Sequence, residues 1–162
     1  MLALEVTLDR LSARTTQIQH LDTLRGLVLG TFSLLRHTPV TQMGINRQAH
    51  FRSASEEEWH KLGHHLAPQE PWTGLLEKPG MRRLQMQGQR TDEYRGRITV
   101  VVEPSLRVKP GFGVYFEVND HYENDVEEKG LQCERMMQIL GARWQTSLDW
   151  ALRTMQTLMK MS

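Results

Sequence analysis

Ile98, Val100 and Val102, and then Val114, Phe116 and Val118, put apolar side chains on every second position of two nearby stretches, Arg95 to Glu103 and Gly113 to Asn119. Successive side chains of a strand point to opposite faces, so a period of two marks a sheet with one face on a core and the other wet. "KPGFG" lies in the connection from Pro104 to Phe112, and its proline and glycines predict a turn that lets these strands pair antiparallel. Met81 to Gln87 reads as a third strand just before them. Near the start, Leu2, Leu4, Val6 and Leu8 alternate with Ala3, Glu5, Thr7 and Asp9, another strand pattern. In "PVTQMGINRQAHFR" Met43, Ile45, Ala49 and Phe51 fall on one face and Gln42, Asn46, Gln48 and His50 on the other, which predicts a strand with a polar ladder.

Between these strands the apolar spacing changes to three and four. Leu21, Leu24, Val28, Phe32 and Leu35 predict an amphipathic helix from His20 to about Arg36, ended by Pro39. Gly26 and Gly30 on it permit close packing on a sheet, since the apolar flanks of a membrane dimerisation motif are missing. Met136, Leu140, Trp144, Leu148, Ala151, Met155 and Leu158 predict a long final helix over Leu131 to Lys160. Trp150, Leu152 and Met159 fall partly outside its stripe, an apolar surplus of the kind that marks a partner surface. The order β-α-β-α-β-β-β-α describes an α+β fold, a mainly antiparallel sheet of about five strands with its helices on one face, in a single domain over residues 1–162. A chain of this length buries a sizeable core without disulfides or metals.

Composition narrows the function classes. A net charge of +1 argues against a surface devoted to phosphate, and the lone Cys133 fits a reducing cytoplasm. Acidic Glu5 and Asp9 interrupt any secretion signal, and no run is long and apolar enough for a membrane span. The strand pattern begins almost at the first residue, which fits a segment of a longer natural protein.

"SASEEEWHKLGHHLAP" carries histidines in a metal-like array. Ser55 with Glu58 matches a helix capping box, and three glutamates suit the positive end of the helix dipole. Gly63 is expected to end this helix between His60 and His64, which would deny them a common face, and Lys61 stands where a zinc protease needs glutamate. No metal site at His60, His64 and His65, and no cofactor, is therefore expected. The proline- and glycine-rich "APQEPWTGLLEKPG" reads as a connection anchored on the core by Trp72, Leu75 and Leu76. Cys133 sits where a helix start would favour its thiolate, but a buried structural thiol is the expectation.

"EVNDHYENDVEE" is the densest polar cluster, at the expected end of a strand, and a turn whose side chains cap backbone groups accounts for it. Asp120 and His121 are sequence neighbours and, on a strand, would face opposite ways, so they form no catalytic dyad by adjacency. Arg82, Arg83, Arg90, Arg95, Arg97, Arg107 and Lys109 gather in the strand-rich middle, without the exposed aromatic motif of a sheet that reads RNA.

With "HTPVTQMGINRQAHF", "LAPQEPW", "PGMRRLQMQG" and "VYFEVNDHYE", the chain resembles a bacterial family of hypothetical α+β proteins over most of its length. The resemblance implies a cytoplasmic bacterial protein and supplies no activity. Its motifs single out Asn46, Arg47, Asn119, Asp120 and His121 as candidate binding residues. The leading expectation is a non-enzymatic interaction or scaffold domain that forms a homo-oligomer. The alternatives are a ligand-binding protein or enzyme with a polar site between the second strand and Asn119 to Glu123, and nucleic-acid binding by the arginine-rich strands.

Overall fold

The computed structural model describes residues 1–128 and 130–161. Its order is β-β-α-β-α-β-β-β-α, with six strands arranged as a two-stranded and a four-stranded sheet, both antiparallel. The α+β class and the antiparallel pairing agree with the sequence reading, whereas the five-stranded sheet gives way to a hairpin plus four strands. Internal contacts divide the chain into two units, Met1–Met43 with Glu123–Gln145, and Gly44–Tyr122 with Thr146–Ser162.

In the first unit the opening alternation stops at β1 (Leu2–Val6) and turns back into β2 (Leu11–Thr15), with Leu4 opposite Ala13 and Val6 opposite Leu11. The turn explains the early stop: the Thr7 amide donates to the Arg10 carbonyl at 2.8 Å, and the Thr7 hydroxyl donates to Asp9 at 3.0 Å. A turn residue that looks like one more polar strand position hid the second strand. A 3-10 turn (Ile18–His20) then leads into α1 (Leu21–Leu34), which buries Leu24. Asn124 ties the unit together, its side-chain amide donating to the carbonyls of Val40 at 2.8 Å and Gln132 at 2.7 Å. The final helix, α3 (Gln132–Met159), buries Cys133, Met136, Ile139, Leu140 and Trp144 within this unit's span of it.

In the second unit the sheet order is β3 (Gln42–Arg52), β6 (Gly113–Glu123), β5 (Gly96–Pro104) and β4 (Leu84–Gln89). Register places Val102 opposite Phe116 and Val100 opposite Val118, so the alternating apolar positions form one face. On that face Val102, Val114, Phe116 and Val118 pack with Leu62 of α2 (Glu56–Leu66) and with Ala151 and Met155 of α3. Phe51 of β3 meets Phe116 edge to face, ring centroids 5.6 Å apart. Trp150, Leu158 and Met159 pack against the same core, so most of the surplus read on the final helix is absorbed there. Met81, expected to open β4, packs on the core instead, and the strand starts three residues later.

Two elements depart from the reading in an informative way. Strand β6 runs on through Glu123, so "VNDHYE" is strand and not turn. The alternation persists because Asp120 and Tyr122 are buried where apolar residues would otherwise stand. Helix α2 begins as expected, the Glu58 amide donating to Ser55 Oγ at 3.1 Å, but it continues through Gly63 to Leu66. Glycine costs a helix interior only about 1 kcal/mol, and the buried Leu62 contact outweighs that here.

Candidate partner-binding groove

Two adjoining clefts, of about 730 and 560 Å³, share Gln69, Pro79, Gly80, Met81 and Glu103 in their walls. Sequence dictates each wall. Helix α2 is held by Leu62 in the core and by Trp59, whose indole N–H donates to the Gly113 carbonyl at 3.0 Å. That anchoring turns His60, Gly63 and His64 toward the smaller cleft, over a floor that includes Leu62, Met81, Pro104 and Val114. The opposite wall comes from the irregular segment 67–83. There the Gln69 side-chain amide donates to the Pro79 carbonyl and clamps the loop into a ring, so the segment is built rather than slack.

Trp72, Leu75 and Leu76 were expected to anchor this segment, yet they are 49%, 73% and 56% exposed. Trp72 and Leu76 line the larger cleft with Arg82, Arg83 and Met81. The charge lining the two clefts together is unbalanced toward cations. Glu103 is held by Arg83, whereas Arg82 and Lys78 stand on the rims. A concave surface with an apolar floor and a few charged groups at its edge is the usual form of a binding site. Sequence reasoning missed it because apolar residues in a proline-rich loop look the same whether they point in or out.

The residues singled out from the two motifs separate onto the two faces of the four-stranded sheet. Arg47 donates to the Leu148 carbonyl at 2.9 Å and so ties β3 to α3 on the helix-covered face. Asp120 shares that face with Tyr122 and accepts from Arg90, whose side chain is only 3% exposed, while that of Asp120 is 5% exposed. Arg90 also bonds Asp92 through Nη2 and Nε, at 2.6 and 2.9 Å, and lies 3.8 Å over the Tyr122 ring. The Tyr122 hydroxyl donates to the other Asp120 oxygen at 2.9 Å. Burial pulls the Arg90 guanidinium down, but the hydrogen bond with Asp92 and the charge of Asp120 more than offset this and hold it above its ordinary range. This closed network locks the connection between β4 and β5 onto β6.

Asn46, Asn119 and His121 occupy the opposite face of the sheet, where Asn46 is exposed and Asn119 and His121 are half-buried. Gly44 lies between the two amides: a side-chain carbon there would meet Asn119 at 3.5 Å and Asn46 at 3.8 Å. Farther along the same face, Gln48 and the Tyr115 hydroxyl both donate to Glu117, at 3.1 and 2.7 Å. Burial and that carboxylate raise the Tyr115 phenol above its ordinary value. His50 Nδ1 lies 2.8 Å from Ser105 Oγ, which also accepts from the amides of Arg107 and Val108 at 3.2 Å each. With two amide donors on its oxygen, Ser105 gives its own proton to His50, so the pair pins the loop after β5. Burial, and then the charge of Arg107, lower the His50 pKa.

The continuous α2 does place His60 and His64 one turn apart, their rings 6.0 Å apart, contrary to the reason drawn from Gly63. Among the described residues no three histidine, cysteine or acidic side chains form a group that could hold an ion. Cys133 is buried, and burial raises its thiol pKa, the opposite of what the start of a helix alone would do. No helix among the described residues is long and apolar enough to cross a membrane. Compared with protein families, with curated proteins and with solved structures, the chain matches none.

Proposed function

We propose that the chain is a protein-interaction domain, not an enzyme, and that its groove holds an apolar segment of a partner protein flanked by acidic residues. The observation that carries this reading is the pair of adjoining clefts with Trp72 and Leu76 exposed on one wall and Arg82 and Lys78 on the rims. Tryptophan and arginine are the residues that most often anchor interfaces, and an exposed apolar wall gains from being covered. The cations favour an acidic flank because Glu103 is already held by Arg83. His60, on the wall of the smaller cleft, is exposed and 3.7 Å from Glu56, which suits a rim contact more than proton transfer in a closed site.

Amide resonances followed while an anilinonaphthalene sulfonate dye, an apolar anion, is added would test the site. The reading expects saturable shifts confined to residues 59–64, 67–83, 103–104 and 114. Shifts centred elsewhere would overturn it.

A second reading rests on the sheet face opposite the helices, where the amides of Asn46 and Asn119 flank Gly44 and could bind a small polar ligand. Nucleic-acid binding draws less support, since Arg90 is buried in its carboxylate network and Arg83 is paired. The buried lone thiol of Cys133 supports a reducing cytoplasm.

A further inference from the structure

Strand β4 is an outer strand of the four-stranded sheet, and its sequence, LQMQGQ, holds no charge and no proline. An outer strand offers a row of N–H and C=O groups to any other chain, and proteins blunt such edges with charges, prolines or bulges. The opposite edge is blunted in this way: β3 ends in the charged Arg52, and its Arg47 points inward to the Leu148 carbonyl. Within Leu84–Gln89 strand β4 has none of these devices, and the nearest cation, Arg83, is paired with Glu103 and donates to Gln85 at 3.2 Å. Gln85 through Gln89 are all exposed, and Met86 is 62% exposed even though Val100, opposite it, packs against the core. Met86 thus stands where the sheet's apolar face runs out of cover.

We infer that β4 pairs with β4 of a second copy of this chain, antiparallel, to join two four-stranded sheets into one. The strand is complementary to itself by chemistry. Gln85, Gln87 and Gln89 share one face; the oxygens of Gln85 and Gln87 accept from Arg83 and Thr99, at 3.2 and 3.4 Å, and their amide N–H groups are left to donate across the pair, so glutamine opposite glutamine can bond where a lysine or glutamate ladder would repel itself. Directly opposed residues of an antiparallel pair share a face, so the twofold axis passes through Met86 or Gln87. The first choice sets Met86 against Met86 and Gln85 against Gln87; the second sets Gln87 against Gln87 and Met86 against Gly88. Neither opposes like charges within β4, and both cover Met86. Six residues a side make a small interface, so the dimer is weak and depends on concentration. This surface shares no residue with the groove walls, so the two readings stand or fall separately.

Sedimentation velocity of the full chain over a concentration series tests the pairing, alongside Met86→Lys, Gln87→Lys and the groove variant Leu76→Asp, all at exposed positions. The expected result is a monomer–dimer equilibrium that either lysine weakens at least about tenfold and that Leu76→Asp leaves unchanged. Under mild oxidation Met86→Cys or Gln87→Cys gives a disulfide-linked dimer, the one that forms identifying the axis. A monomer at every concentration overturns the inference. So does a dimer that both lysines spare and neither cysteine traps, or one that only Leu76→Asp abolishes.

Discussion

Asp120→Asn keeps the shape of the side chain and removes its charge, which makes it a clean probe of the Arg90 network. Both partners are almost fully enclosed, so water cannot replace the lost interaction. Removing one member of a buried ion pair costs about 3–5 kcal/mol when the other is left alone. Arg90 is not left alone, because Asp92 still accepts two of its bonds and the Tyr122 ring still lies beneath it. The expected cost is therefore about 2–3 kcal/mol, near that of a charge-assisted hydrogen bond. For a chain of this size that lowers Tm by about 4–12 °C. Thermal and urea unfolding followed by circular dichroism would measure it. The same change made in an Arg90→Met background should be neutral or stabilising, since it then removes a carboxylate that has lost its cation. If Asp120→Asn lies within about 0.5 kcal/mol of the parent in both backgrounds, the size of a surface substitution, the network contributes nothing and the reasoning fails.

Other expectations follow from single contacts. Ser55→Ala removes the cap that accepts from the Glu58 amide and should cost about 1 kcal/mol in urea unfolding, with Ser55→Asp restoring most of it. Gly96 has a φ of +135°, and a side-chain carbon there would overlap the His121 carbonyl oxygen. Gly96→Ala should therefore destabilise strongly in the same assay, whereas Gly44→Ala, which meets Asn119 at an ordinary 3.5 Å, should be mild. The His50 pKa lies below its ordinary 6.5 in the folded chain, so on acidification the unfolded chain takes up this proton first. Stability from this group is complete above pH 6.5 and is lost as pH falls toward and through the lowered value; His50→Gln should flatten that slope.

What could be read from the residues was whatever leaves a periodic trace. The alternation at Ile98, Val100 and Val102 is visible because each of these residues meets the same face, and the spacing of Met136 to Met155 marks α3 for the same reason. The Ser55 cap was legible because its chemistry is local. Polar residues in core positions broke the trace. Asp120 and Tyr122 look like a turn until Arg90, thirty residues away in sequence from Asp120, neutralises the carboxylate and lets the strand continue. The β1–β2 turn was lost because Thr7 and Asp9 continue the polar phase of the alternation. The groove left no trace at all. Whether Trp72 and Leu76 point into the core or line a cleft depends on the loop closure by Gln69 and Pro79, a contact that periodicity does not encode.

Selecting a displayed random-peptide library on the purified chain asks whether the groove takes an apolar and acidic segment of another protein. Selection on a Trp72→Ala, Leu76→Asp, Arg82→Glu variant serves as the counter-screen. All three positions are exposed, so the fold should survive these changes. The expected result is enrichment of peptides in which bulky apolar residues are followed or preceded by aspartate or glutamate. Those peptides should bind the parent chain saturably and lose at least about tenfold in affinity, roughly 1.4 kcal/mol, on the variant. Peptides without that pattern, or ones that bind parent and variant equally, would contradict it.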